Sequence, residues 1–348
     1  MMTDRFPLQS RFLRRALLGG GLALAASAAM ADEVNVYTYR EPGLIKPLFD
    51  KFTAETGVKV NVVFAKSGLE ERIQSEGANS PADMLITTGI ANLRKAVGLG
   101  IAQPIKSAVL EKAMPPALRA ADGSWYALSV RARVIYASKD RVKDATLSYA
   151  DLASPRFKGR FCIRDGRHEY NNALFAAAVV HWGEAKTEEW LKALRANLAK
   201  KPSGGDRDVA KDIAAGACDV GLGNTYYVGL MNADAQQKAI SDQIRVIMPS
   251  FENGKTHVNV SGFVIAKHAK HKDQAIRLAE WLVGAEAQGM YGRQNFEYPV
   301  LAGAPVEPFI KSFGELKADD IPLEAVAGKA KTASELTDKV GFNLGPQS

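Results

Sequence analysis

Between Val34 and Phe64 the hydrophobic period changes twice, and this change limits the possible folds more than any other feature of the chain. Val34 and Val36 alternate with Glu33 and Asn35, as on a half-buried strand. Leu44, Ile45, Leu48, Phe49 and Phe52 then recur three and four residues apart, as on one face of a helix, and Gly57 stands where a left-handed residue caps a helix C-terminus. Val58, Val60, Val62 and Phe64 resume the alternation. A strand, a helix and a strand in that order predict a right-handed βαβ unit with parallel strands.

The alternation continues with a helix over 69–76, a strand over 84–86 and a helix over 91–99. Residues 125–139 (WYALSVRARVIYASK) form one long β-type run. A second series follows, with a strand at 161–164, helices over 172–182, 187–199 and 209–215, and strands at 219–222 and 244–248. A third extended run, 257–267, precedes a helix over 274–282. Two α/β series joined by long β runs predict two lobes connected by more than one crossing strand, with a ligand between them.

The chain carries 45 Lys+Arg against 38 Asp+Glu, a net charge of +7, which raises the question of nucleic acid or a membrane surface. Part of that charge sits in the first 31 residues. Arg11, Arg14 and Arg15 precede an Ala, Leu and Gly run and an Ala29-Met30-Ala31 cleavage site, the pattern of a secretory signal. Its apolar run is shorter than the roughly 20 residues a membrane span needs. Arg14-Arg15 also fits a twin-arginine export signal. Removal of 1–31 takes away four arginines and one aspartate, and the remaining basic residues form no stripe interleaved with aromatics. The mature chain is therefore expected to be soluble in an exported, oxidising compartment and to bind no nucleic acid.

No GxSxG, Walker A, strand-linked GxGxxG or HExxH pattern is present, and the five histidines lie apart, which favours binding over catalysis. The unusual feature is Asn224-Thr225-Tyr226-Tyr227, between a strand and a helix expected from Gly229 onward. At a strand-to-helix turn both hydroxyls could converge, with a helix N-terminus favouring negative charge nearby. Tyr170 occupies a comparable place after the 161–164 strand. Three phenolates would match Fe3+ in charge and hardness; half-buried aromatics with hydroxyls in water would show the same spacing. Arg131 and Arg133 share a strand face and Arg40 follows the first strand, positions that suit either a planar oxyanion or structural ion pairs. Cys162 and Cys218 could bridge within one lobe or remain buried thiols.

Seven segments taken together resemble periplasmic ferric-ion-binding proteins of ABC iron importers. They are Val36 to Pro42 (VYTYREP), Glu76 to Asp83 (EGANSPAD), Arg131 to Tyr136 (RARVIY), Glu169-Tyr170-Asn171, Gly223 to Tyr227 (GNTYY), Gly254 to Gly262 (GKTHVNVSG) and Glu297 to Val300 (EYPV). The resemblance implies an α/β, type II, transferrin-like flytrap with crossing β-strands at its hinge. The first lobe would comprise 32–131 with 257–304 and the second 132–256 with 305–348. It implies Fe3+ held by Tyr170, Tyr226 and Tyr227, a synergistic carbonate or bicarbonate held by Arg40 and Arg133, and delivery by a periplasmic monomer to an inner-membrane permease. Some members carry His-Tyr after the first-strand arginine. Here Glu41-Pro42 stands there, close to the subgroup with Gln-Pro, and Gly89 replaces a frequent Asp. The rival expectation is a related receptor for an organic solute or oxyanion without metal.

Overall fold

Parallel pairing of β1 (Glu33–Thr38) with β2 (Lys59–Phe64), Glu33 opposite Lys59, realises the opening βαβ unit in the computed structural model, which describes residues 32–346. The secretory signal expected over 1–31 lies outside the described residues. Between these strands α1 (Pro42–Thr56) buries Ile45, Leu48, Phe49 and Phe52. Pro42 occupies its first turn, where a missing N–H costs nothing. Gly57 ends it at φ 74°, donating its N–H to Thr53 O.

The strand path runs β2, β1, β3 (Met84–Thr87), β9 (Val258–Ala266), β5 (Tyr126–Ser138), β7 (Val220–Asn224), β6 (Phe161–Cys162). The short strands β4 (Ala102–Gln103), β8 (Ile244–Ile247) and β10 (Tyr298–Pro299) pair with β9, β5 and β5 respectively. Every residue of β5 is buried, so its sequence reads as an apolar run interrupted by Ser129, Arg131 and Arg133 and ending at Ser138. Tyr126 to Ala132 pair with β9, whereas Arg133 to Ser138 pair with β7 and β8. The strand therefore changes partners between Ala132 and Arg133, and the two sheet regions meet there.

Further helices cover the sheet: α2 (Leu69–Glu76), α3 (Ile90–Gly98), α4 (Ala108–Ala113), α5 (Glu169–Asn197), α6 (Asp206–Ala214) and α7 (Thr225–Ala233). The two helices expected over 172–182 and 187–199 are the two segments of α5, which meet at Gly183, with φ 80°. One core gathers around the first sheet region and another around α5, where Phe175, Trp190, Leu191 and Leu194 meet Val340 and Phe342 from the C-terminal segment. Cys162 and Cys218 are joined, with Cα atoms 5.9 Å apart, tying β6 to the approach of β7. No helix of the described residues is long and apolar enough to cross a membrane.

Candidate metal centre

Each of the three tyrosines belongs to the first turn of a helix that follows a strand of the second sheet region. Tyr170 is the second residue of α5, whose N-cap, His168, accepts the Tyr170 N–H on Nδ1 at 3.3 Å. Burial, with Arg164 close by, pushes His168 down to about 4, so its ring stays neutral and free to accept. Tyr226 and Tyr227 lie in the first turn of α7, which starts at Thr225, four residues before the expected Gly229. The helix begins early because Asn224 keeps extended geometry at the N-cap, its N–H held by buried Asp206 Oδ2 at 2.9 Å. Gly223 is required for a different reason, since a Cβ there would penetrate the Tyr136 ring, whose hydroxyl donates to Asn224 O.

The Tyr170 and Tyr226 hydroxyl oxygens stand 3.4 Å apart, and the Tyr226 and Tyr227 ring centroids 4.1 Å apart. Burial first, and then neighbouring phenols, raise the Tyr226 and Tyr227 hydroxyls above their ordinary range, so both are neutral without a cation. Positive charge surrounds them. Arg131 and Arg164 lie 5.4 and 5.3 Å from the centroid of the Tyr170 ring, and Arg207 lies 5.7 Å from that of Tyr227.

The cleft holding these groups has a volume of about 370 Å³ and is also lined by Tyr39, Arg40, Glu41, Thr88, Arg131, Asp206 and Asp208. Arg40 is 3% exposed; its Nη1 donates to Ser261 Oγ at 3.0 Å and Glu297 Oε1 at 2.7 Å, while Nε and Nη2 have no partner. Arg131 gives Nη2 to Thr88 O and likewise leaves Nε and Nη1 without partners. Unpartnered buried guanidinium N–H groups are costly unless something accepts from them, and a planar oxyanion does so in the right geometry. Arg133 does not line the cleft. Its Nη1 donates to Asp206 Oδ2 at 2.6 Å and Asn224 Oδ1 at 3.2 Å, and its Nη2 to Asn171 Oδ1. Two residues apart on β5, Arg131 thus faces the cleft and Arg133 supports the elements that carry the tyrosines. Glu41 is exposed at the N-cap of α1 and reaches the same cleft.

Among the described residues no three His, Cys, Asp or Glu side chains cluster to hold a metal. Residues 38–289 match the family described as bacterial extracellular solute-binding protein. The chain belongs to that family. This solute-binding protein is 42% identical over 323 residues to iron uptake protein A1 of Synechocystis, covering 92% of this chain and 90% of that one. It shares 50% identity and a TM-score of 0.85 with a solved Bordetella ferric binding protein, over 90% and 100% of the two chains. A Trichodesmium protein solved in complex with iron and citrate ligands is 38% identical, with a TM-score of 0.85 over 89% and 99%. The fold of this solute-binding protein is accordingly the two-lobed, type II α/β fold.

Sequence patterning singles out Arg131 only beside Arg133, and does not mark Arg164, Arg207 or Tyr39 as cleft residues. Arg164 had a usable signal, since it ends the same strand run that leads to Tyr170. Arg207 had none, because its helix reaches the cleft only through tertiary packing.

Proposed function

We propose that this periplasmic protein captures Fe3+ on Tyr170, Tyr226 and Tyr227, completes the shell with an oxyanion, and hands the ion to the permease of an ABC iron importer. The observation that carries this reading is the convergence of three phenol oxygens beside the free N–H groups of two buried arginines. Hard phenolate oxygen suits a small trivalent cation, and three phenolates cancel its charge, Tyr226 and Tyr227 being kept protonated by burial until the cation binds. The role expected of Arg133 passes to Arg131, so the anion is held by Arg40 and Arg131. Carbonate or bicarbonate fits their planar forks, and so does a carboxylate of a chelator such as the citrate found in the Trichodesmium protein. The lobes divide as 32–131 with 257–304 and 132–256 with 305–348. The protein acts as a monomeric carrier, not an enzyme, and has no nucleic-acid partner.

Titration of the apoprotein with ferric citrate tests the reading. A visible phenolate-to-iron charge-transfer band is expected, one equivalent per chain, diminished in Tyr226→Phe and in Tyr227→Phe. A colourless mixture with an unchanged melting temperature would leave the metal-free oxyanion receptor, which the same arginines could serve, as the better account.

A further inference from the structure

Tyr170 is preceded by a carboxylate that faces away from the metal cleft, toward the loop after β3. Glu169 Oε1 accepts from Thr88 Oγ1 at 3.1 Å and Oε2 from Asn92 Nδ2 at 3.4 Å. Glu169 is the first residue of α5, whereas Thr88 and Asn92 flank the start of α3, packed on the other sheet region. The carboxylate therefore lies at the N-terminal ends of two helices that belong to different sheet regions, where both helix dipoles favour negative charge.

Two further observations give this contact a consequence. Thr88 is bonded at both ends: its hydroxyl goes to Glu169 and its carbonyl accepts from Arg131 Nη2. A short chain therefore runs from the residue beside Tyr170, through Thr88, to a guanidinium that lines the metal cleft. Gly89 makes room for it. A Cβ at Gly89 would stand 3.1 Å from Glu169 Oε2, so a larger side chain there would press on the carboxylate. The backbone at Gly89 is extended, with φ −163°, so this glycine serves space and not conformational freedom.

We infer that Glu169 is a positioning residue: a strut between the lobes that holds the closed form and sets how slowly iron leaves, without touching the ion. The inference rests on the ferric reading above. The strut acts on the equilibrium between open and closed forms, so it changes retention and leaves the coordinating atoms alone. Removing a charged hydrogen-bond acceptor between two half-buried donors is worth roughly a tenfold change in an equilibrium or a release rate.

The test uses the mature chain loaded with ferric citrate and then mixed with excess EDTA, in wild type, Glu169→Ala, Glu169→Gln, Gly89→Asp and Thr88→Val. Release about tenfold faster is expected in Glu169→Ala and Gly89→Asp, the latter because it sets a second carboxylate against Glu169. Glu169→Gln, which preserves shape, should show a smaller acceleration. The charge-transfer band should keep its position and its one-to-one stoichiometry throughout, a signature that loss of a ligand or of the fold would move. Adding Thr88→Val to Glu169→Ala should accelerate release little further, because both remove the same link. Release within about twofold of wild type in the folded Glu169 variants, or full additivity of the Thr88 change, would overturn the strut. A wild-type chain that develops no band at all would instead overturn the ferric reading, and the strut with it.

Discussion

Arg131 and Arg133 have the same residue type, the same strand and the same burial, and nothing local separates their roles. What separates them is what each guanidinium meets. Arg133 ends against Asp206, with side chains 2% and 0% exposed, while Arg131 ends in the cleft with two N–H groups free. Replacing Arg133 with Ala leaves buried Asp206 only the Asn224 N–H and a longer, 3.4 Å contact with Arg164, and denaturant unfolding should show a loss of about 3 kcal/mol. Arg131→Ala should lose far less stability but should weaken iron retention and its dependence on added bicarbonate or citrate. Equal stability losses in the two variants would contradict this division. The sequence could place both arginines on one face of β5 by the period of two; it could not show that β5 changes partners between them.

The elements that deliver the tyrosines depend on short-range devices fixed from a distance. The α7 N-terminus is set by Asn224, held by Asp206, and by the fit of Gly223 under Tyr136. The Cys162–Cys218 bridge, 56 residues apart in sequence, secures the β6 and β7 pair from which the two tyrosine-bearing helices, α5 and α7, depart. By the chain-entropy relation, closing a loop of that length is worth about 4 kcal/mol. A Cys162→Ala, Cys218→Ala variant should therefore unfold at lower denaturant, and the same loss should appear in wild type after reduction. An unchanged midpoint would remove the bridge from the stability account. Asp219, beside Cys218, adds a pH-dependent contribution. Burial would raise its carboxyl, but hydrogen bonds from Arg141 and Arg160 outweigh burial and hold it below the usual range. A depressed folded-state value stabilises above the unfolded-state value and is lost as pH falls through the folded one. Relative to Asp219→Asn, wild type should lose its advantage only on acidification below about pH 4.

At the scale of the whole molecule, the proposed metal capture is coupled to protons. Tyr226 and Tyr227 are held protonated by burial, so binding as phenolates must release their protons. The loaded form then carries fewer protons than the free form, and raising the pH favours loading. Apparent ferric affinity, measured by competition through the visible band between about pH 5 and 8, should rise with pH by up to roughly one decade per unit for each proton released. A pH-independent affinity would mean that the phenols do not ligate as phenolates. Closure of the two lobes belongs to the same scale, because the cleft arginines and the tyrosines come from different parts of the chain and meet only in the cleft.

The sequence by itself determined the run of elements from β1 to α3, the long buried strands and the tyrosine positions. Each of these is written in local periodicity or in a short motif: alternation in β1 and β2, the three-and-four spacing of α1, the Tyr226-Tyr227 pair after a strand. The tertiary structure alone decided that the two cysteines are joined, that α7 starts at Thr225, that Arg131 and not Arg133 faces the cleft, and that Glu169 meets Thr88. These outcomes depend on contacts between residues far apart in the chain. No local pattern records which buried polar group will find its partner, because that is settled by how the lobes pack and which donors they leave unsatisfied.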